Sequence, residues 1–169
     1  GDYQVANKKT VLSALFCLKD VFSVSKEVIK KGFLNVVTNT GLLGRWQILN
    51  NEPKVVCDTA HNSHGLKVVL NQIKKEHFET LHFVLGVVND KDLDSIFHLF
   101  PKEARYYFCT PNVSRGLDTK FLYEKAIEYG LKGEVYSSVR DAYESARLLA
   151  DKSDFIYIGG STFVVAEII

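Results

Sequence analysis

Six consecutive residues, Phe83-Val84-Leu85-Gly86-Val87-Val88, carry no polar side chain. A strand with one face in water alternates apolar and polar residues. A strand without that alternation has to be covered on both faces. The chain therefore needs a sheet sandwiched between helices, and the rest of the sequence supplies both. Strand patterns occur at Arg45–Leu49, Val55–Asp58, Leu81–Val88, Tyr106–Thr110 and Phe155–Gly159, with a short one near Glu134–Tyr136. Helical patterns fall between them, at Ser63–Glu76, Leu93–Phe100, Asp118–Tyr129, Val139–Asp151 and from Thr162 onward. Ser138-Val139-Arg140-Asp141 resembles a capping box. Strand–helix alternation predicts an α/β fold: a Rossmann-like, mostly parallel sheet with helices on both faces.

The N-terminal part reads differently. Val11, Leu12, Leu15, Phe16, Leu18 and Phe22 recur at helical spacing over about Val5–Val21. Ser25 reads as the N-cap of a second helix with Val28, Ile29, Phe33, Leu34 and Val37 on its apolar face. Two helices alone cannot bury such stripes, so they have to pack on something more. Thr38-Asn39-Thr40-Gly41 and Leu42-Leu43-Gly44 read as a linker. The expected division is residues 1–40 and 41–169.

Charge and composition exclude several classes. With 169 residues, 46% hydrophobic and 24% charged, the chain can core one domain well. A formal net charge of +1, with Lys and Arg spread along the chain, offers no field for nucleic acid. No apolar run spans a membrane and no signal-peptide pattern opens the chain. Cys17, Cys57 and Cys109 lack metal-ligand spacing. Cys57 and Cys109 fall in expected strands, as buried free thiols suited to the cytoplasm. There is no methionine, even at the start, and the opening Gly-Asp reads as the start of a fragment.

The chemically able residues cluster after strands, where open α/β sheets bind ligands. Asp58, His61 and Asn62 follow one strand. Asn89, Asp90, Lys91 and Asp92 follow the next, Arg115 lies in a loop after the third, and Gly159-Gly160-Ser161 close the last. Each also has a plainer reading. Asp58 or Asn62 can simply cap the helix from about Ser63, and Asp90 or Asp92 the one from Leu93. Arg115 can be a solvated cation, and Gly159-Gly160-Ser161 a tight turn with an N-cap whose amides also suit a carboxylate or phosphate. His64, His77, His82 and His98 read as structural or surface residues. Asp90, Asp92 and Asp94 make no metal cage without further ligands. No G-x-x-x-x-G-K-[ST] loop, G-x-G-x-x-G turn or G-x-S-x-G elbow is present.

Gly44-Arg45-Trp46-Gln47, a strand, then Asp58-Thr59-Ala60-His61-Asn62 resembles the pattern G-R-[FWL]-[EQ] … D-[GVT]-A-H-N of folylpolyglutamate and dihydrofolate synthases, in the Mur ligase superfamily. Asn89-Asp90-Lys91-Asp92, Ser114-Arg115-Gly116 and Gly160-Ser161 continue the likeness in order. Tyr3-Gln4-Val5-Ala6-Asn7 resembles the stretch where an asparagine starts a helix late in the family's central ATPase domain. Two departures stand: Ser63 replaces the proline that usually follows H-N, and the loop before Gly44 is longer.

The resemblance implies that 1–40 are the trailing helices of the central domain with the start of a linker, and 41–169 the C-terminal domain. It implies ATP and Mg2+ as cofactors, with the phosphate loop, magnesium ligands and carbamylated lysine in an N-terminal ATPase domain missing here. This fragment would then be inactive alone. In the reaction it implies, ATP phosphorylates a carboxylate of folate or dihydropteroate, and the amine of L-glutamate attacks the acyl phosphate. Asn7, Arg45 and Asp58 would contact ATP, and Arg45 would stabilise phosphate charge. His61 and Ser161 would hold glutamate, His61 also being catalytic. Two other readings stay open: a non-catalytic Rossmann-like binding domain, and the C-terminal domain of a cell-wall Mur-type ligase.

Overall fold

The computed structural model describes residue 1 and residues 3–169, in two compact units, Gly1–Leu43 and Gly44–Ile169. The first is helical, with α1 (Gln4–Cys17), α2 (Lys26–Leu34) and α3 (Val36–Thr40). Ser25 caps α2, its Oγ accepting from the Val28 amide at 3.3 Å. Thr38–Thr40, expected as linker, instead belong to α3, which Gly41 ends in the left-handed region. None of these helices has a buried residue, and Phe16 and Leu34 are more than two-thirds exposed.

The second unit is built on one six-stranded sheet. β1 (Gln47–Asn51) and β2 (Lys54–Cys57) pair antiparallel. β3 (Leu81–Leu85), β4 (Arg105–Phe108), β5 (Lys132–Val135) and β6 (Phe155–Gly159) join β2 in parallel, in the order β1-β2-β6-β3-β4-β5. Four helices connect them, α4 (Ser63–Ile73), α5 (Asp94–Phe97), α6 (Thr119–Glu128) and α7 (Val139–Leu149), and α8 (Thr162–Ala166) follows β6. The mostly parallel, Rossmann-like sheet is as the alternation predicts.

Alternation along the strands divides the core into two faces. Val84, Tyr107, Ile156 and Ile158 face α7 and α8 through Val139, Ala142, Ala146, Val164 and Val165. Phe83, Tyr106, Phe108 and Tyr157 point the other way and stack on one another; Phe83 meets Phe100 and Phe108 meets Tyr123 of α6. Each such buried aromatic or aliphatic side chain contributes about 1.5–3 kcal/mol of transfer free energy.

Two expected strands differ in their bounds from their patterns. The run Leu81–Val88 leaves the sheet at Leu85. Val87 and Val88 stay apolar because a loop covers them: Leu117 N donates to Val87 O at 3.0 Å and Val88 bridges Gly116. β1 begins at Gln47 rather than Arg45, because Trp46 adopts φ 50° and leaves strand geometry. Helix α5 is a single turn rather than Leu93–Phe100.

The topology opens a crevice over β6. The chain leaves β6 for α8 on one face. It leaves β3, a neighbour of β6, for α5, which lies on the Phe83 face. Where successive connections diverge to opposite faces, the carboxyl edge of the sheet is left open, and ligands bind there in such folds.

Candidate functional site

Asp58 stands one residue beyond β2, 2% exposed, and organises the edge of the sheet. Its Oδ2 accepts from the Trp46 amide at 2.6 Å and its Oδ1 from the Ala60 amide at 2.9 Å. The two bonds tie the Gly44–Trp46 turn to the Thr59–His61 turn, and Thr59 N donates to Gly44 O at 2.9 Å. A tryptophan at positive φ is costly, on the order of 1–3 kcal/mol, and persists only where surroundings hold it. Arg45 is thereby presented outward. It is exposed, and its Nη1 donates to Thr59 Oγ1 at 2.7 Å.

A cavity of about 340 Å³ lies at the same carboxyl edge, lined by His61, Asp90, Lys91, Arg115, Ser161 and Phe163, with Val88 and Thr162. Four separate loops meet there, those after β2, β3, β4 and β6. Gly160 allows a close approach of the β6 and β3 loops. It holds φ 96°, and a Cβ there would lie 2.6 Å from Gly86 O. His61 Nδ1 is 2.9 Å from Thr59 O, so that nitrogen donates to the carbonyl. Ser161 is 2% exposed and caps α8 by accepting from the Phe163 amide at 3.2 Å.

The structure thus brings His61 and Ser161 into one cavity, with Lys91, Arg115 and Asp90. Asp58 sits behind them among backbone amides and does not line the cavity. Arg45 is on the same edge, because β1 starts where β2 ends. Asn7 lies in the other unit. It occupies the first turn of α1 rather than starting it, with Nδ2 on Gln4 Oε1 at 2.7 Å. Asn62 caps α4 and Asp92 accepts from Ser95 N, so the plain capping readings hold for those two. Phe163 was invisible as a site residue. Its only signal is a position two residues after Ser161, in the first turn of α8.

Other titratable groups lie away from this edge. Burial, with the Asp58 charge adding to it, pushes the Cys57 thiol up to about 12, so it is an inert core residue. His82 is fully buried near the amino ends of the strands, 2.8 Å from Tyr107 Oη and 3.1 Å from Asp154 Oδ2. Desolvation lowers its pKa despite the Asp154 carboxylate, so it is neutral, with Nε2–H donating to Asp154 and Tyr107 donating to Nδ1. Among the described residues, no group of three or more His, Cys, Asp or Glu is placed to hold a metal ion. Among them, too, no helix is long and apolar enough to cross a membrane.

Comparison with known proteins gives concordant matches. The family described as Mur ligase, glutamate ligase domain, matches residues 44–162. A probable bifunctional folylpolyglutamate synthase/dihydropteroate synthase of Haloferax volcanii is 30% identical over 170 aligned residues, spanning 99% of this chain and 19% of that protein. A dihydrofolate synthase/folylpolyglutamate synthase of Buchnera aphidicola is 26% identical over 164 residues, spanning 96% of this chain and 38% of the relative. The structure of Escherichia coli FolC in complex with DHPP and ADP is similar with a TM-score of 0.82 at 26% identity, over 96% of this chain and 37% of that one. The chain therefore spans between 19% and 38% of the length of these relatives.

Proposed function

The chain belongs to the Mur ligase family, as its glutamate ligase domain, and on that premise we propose that it is the C-terminal part of an ATP-dependent amide ligase that joins L-glutamate to folate or dihydropteroate. Residues 41–169 are the C-terminal domain of that enzyme. Residues 1–40 are the trailing helices of its central ATPase domain and the start of the linker. We assign it to the cytoplasm, where Cys57 and Cys109 persist as buried free thiols.

The observation that carries the reading is the cavity. His61, Ser161 and the two cations Lys91 and Arg115 converge where a small anionic amino acid would sit. His61, anchored through Nδ1, has Nε2 as the ring nitrogen that can take a proton from the glutamate ammonium, leaving the neutral amine needed for attack. Ser161 places a hydroxyl at the cavity wall to orient a carboxylate. Arg45 is held outward at the same edge with one of its five donors on Thr59, and the remaining donors suit phosphate oxygens. Asp58 fixes that arginine's turn, and with Arg45 it makes the ATP-contacting part of this edge. For Asn7 the ATP role rests on the family resemblance alone.

ATP, when bound, supplies the phosphoryl group that activates the acceptor carboxylate. This chain's residues hold the nucleotide edge and the incoming amine. Among the described residues no group of three or more His, Cys, Asp or Glu is placed for Mg2+, whose ligands on this reading belong to the ATPase domain.

The test uses the full-length enzyme containing this chain, supplied with ATP, L-glutamate and either folate or dihydropteroate. Mass spectrometry should detect the glutamylated product, with ADP formed only when all three substrates are present. Absence of any glutamylated product, with either folate or dihydropteroate supplied, would overturn the assignment.

A further inference from the structure

We infer that this chain carries a second binding site, at the amino edge of its sheet, for a zwitterionic α-amino acid with an aromatic side chain. The site is separate from the cavity that carries the proposed function and does not rest on it.

Its position follows from where two strands begin. Leu81 opens β3 and Arg105 opens β4, and the two strands pair in parallel. Their first residues therefore share one edge, opposite the loops that hold His61, Arg115 and Ser161. β3 has five residues rising about 3.3 Å each, so roughly 13 Å of strand separates the two edges. At the amino edge lies a cavity of about 490 Å³, walled by the end of α4, the approach to β3 and the segment 99–105. It is larger than the 340 Å³ cavity at the carboxyl edge and of a size that takes small organic ligands.

The floor is apolar. Leu70 and Ile73 from α4, Leu81 from β3, and Phe100 and Ala104 line it, each at most 6% exposed. Phe78 lines it too and is only half-buried, with its ring set against Phe155 at 5.7 Å between centroids. A fixed aromatic wall beside an aliphatic floor suits a flat ring, and a charge buried there would find no partner.

The rim carries both signs. Lys74, Glu79, Glu103 and Arg105 line the same cavity and are exposed. Among the described residues, none of the four makes an ion pair or a side-chain hydrogen bond. Two cations and two carboxylates that share a rim without neutralising one another fit a ligand that carries both signs itself. A simple acid would be repelled by Glu79 and Glu103, and a simple amine by Lys74 and Arg105. A zwitterion answers both and, like the rim, has no net charge. Its carboxylate suits Arg105, whose guanidinium can supply two parallel N–H bonds, and its ammonium suits the two glutamates. Its ring then takes the floor.

Isothermal titration calorimetry of the full-length enzyme containing this chain tests the site, with L-phenylalanine as the probe. Binding should be saturable, and saturating ATP and L-glutamate should change its Kd by no more than about twofold, because the two edges do not overlap. Phenylpropionate and phenethylamine each lack one charge, L-alanine lacks the ring, and each should bind about 10-fold or more weakly. Arg105→Ala, and Glu79→Gln combined with Glu103→Gln, should each weaken L-phenylalanine about 10-fold. Arg105→Lys should recover part of that loss. These side chains are exposed, so the changes remove charge and leave the packed floor intact.

No saturable binding overturns the inference. Binding that L-glutamate abolishes also overturns it, because the probe then sits at the carboxyl edge. So does binding that both charge variants leave unchanged. An enzyme that forms no glutamylated product yet binds L-phenylalanine as described overturns the proposed function and leaves this site standing.

Discussion

Replacing Asp58 with alanine should unfold this edge of the sheet before it touches any chemistry. The carboxylate is buried and accepts two backbone amides, Trp46 N at 2.6 Å and Ala60 N at 2.9 Å. Hydrogen bonds to a charged partner contribute about 1.5–3 kcal/mol each, and losing the acceptor strands donors that are themselves buried. The two bonds share one carboxylate and are not independent, so the expected loss is about 3–4 kcal/mol rather than the full sum. For a unit of this size that corresponds to a fall in Tm on the order of 10 °C.

Trp46 reports the event directly. It is the only tryptophan and is 9% exposed. Its amide is one of the two donors, and its φ of 50° is held against strain partly by that bond. Urea unfolding followed by tryptophan emission should therefore show a lower midpoint, together with red-shifted native emission as the indole leaves its contact with Phe155. Asp58→Asn keeps one accepting oxygen but turns an NH2 toward the other amide, and should lose about 2 kcal/mol. An alanine variant within about 1 kcal/mol of wild type, with unshifted emission, would refute the claim that Asp58 clamps the two turns.

Two further outcomes are expected. Arg45→Ala in the full-length enzyme should cut turnover by roughly a thousandfold, as charge-stabilising arginines in phosphoryl transfer do, while costing about 1 kcal/mol or less in stability. Near-normal turnover with a collapsed melting temperature would make it a scaffold residue. For His82, burial lowers the folded-state pKa below its ordinary value, so the unfolded chain binds the extra proton first. Stability is then fully present above about pH 6.5 and declines as pH falls, by up to about 1.4 kcal/mol per pH unit until the folded pKa is reached. His82→Gln should flatten that decline in urea midpoints measured from pH 7 to 5, and an unchanged slope would show that other groups cause it.

The sheet and its helices were readable one segment at a time. Strand and helix patterns are local: Phe155–Gly159 is apolar throughout because both its neighbours and both its faces are covered. Ser25, Asn62, Asp118 and Ser138 signal helix starts because a cap needs only a side-chain oxygen three residues before a free amide. The family resemblance rests on such short segments too, chiefly Gly44–Gln47 and Asp58–Asn62.

Where local pattern misled, burial had come from elsewhere. Val87 and Val88 extend an apolar run past the end of β3 because the Arg115 loop covers them, and a hydrophobic residue records that it is covered, not by what. Asp58 reads as a ligand or a cap in sequence, and only the tertiary structure shows its carboxylate accepting from Trp46 and Ala60. The cavity is the extreme case. His61, Lys91, Arg115 and Ser161 are spread over about a hundred residues, and nothing near any one of them in sequence names the others. They meet because β6 inserts between β2 and β3, which places the last loop of the chain between the first two. Strand order is set by which edges pair and which faces need covering across the whole sheet, so it emerges only once the chain has folded.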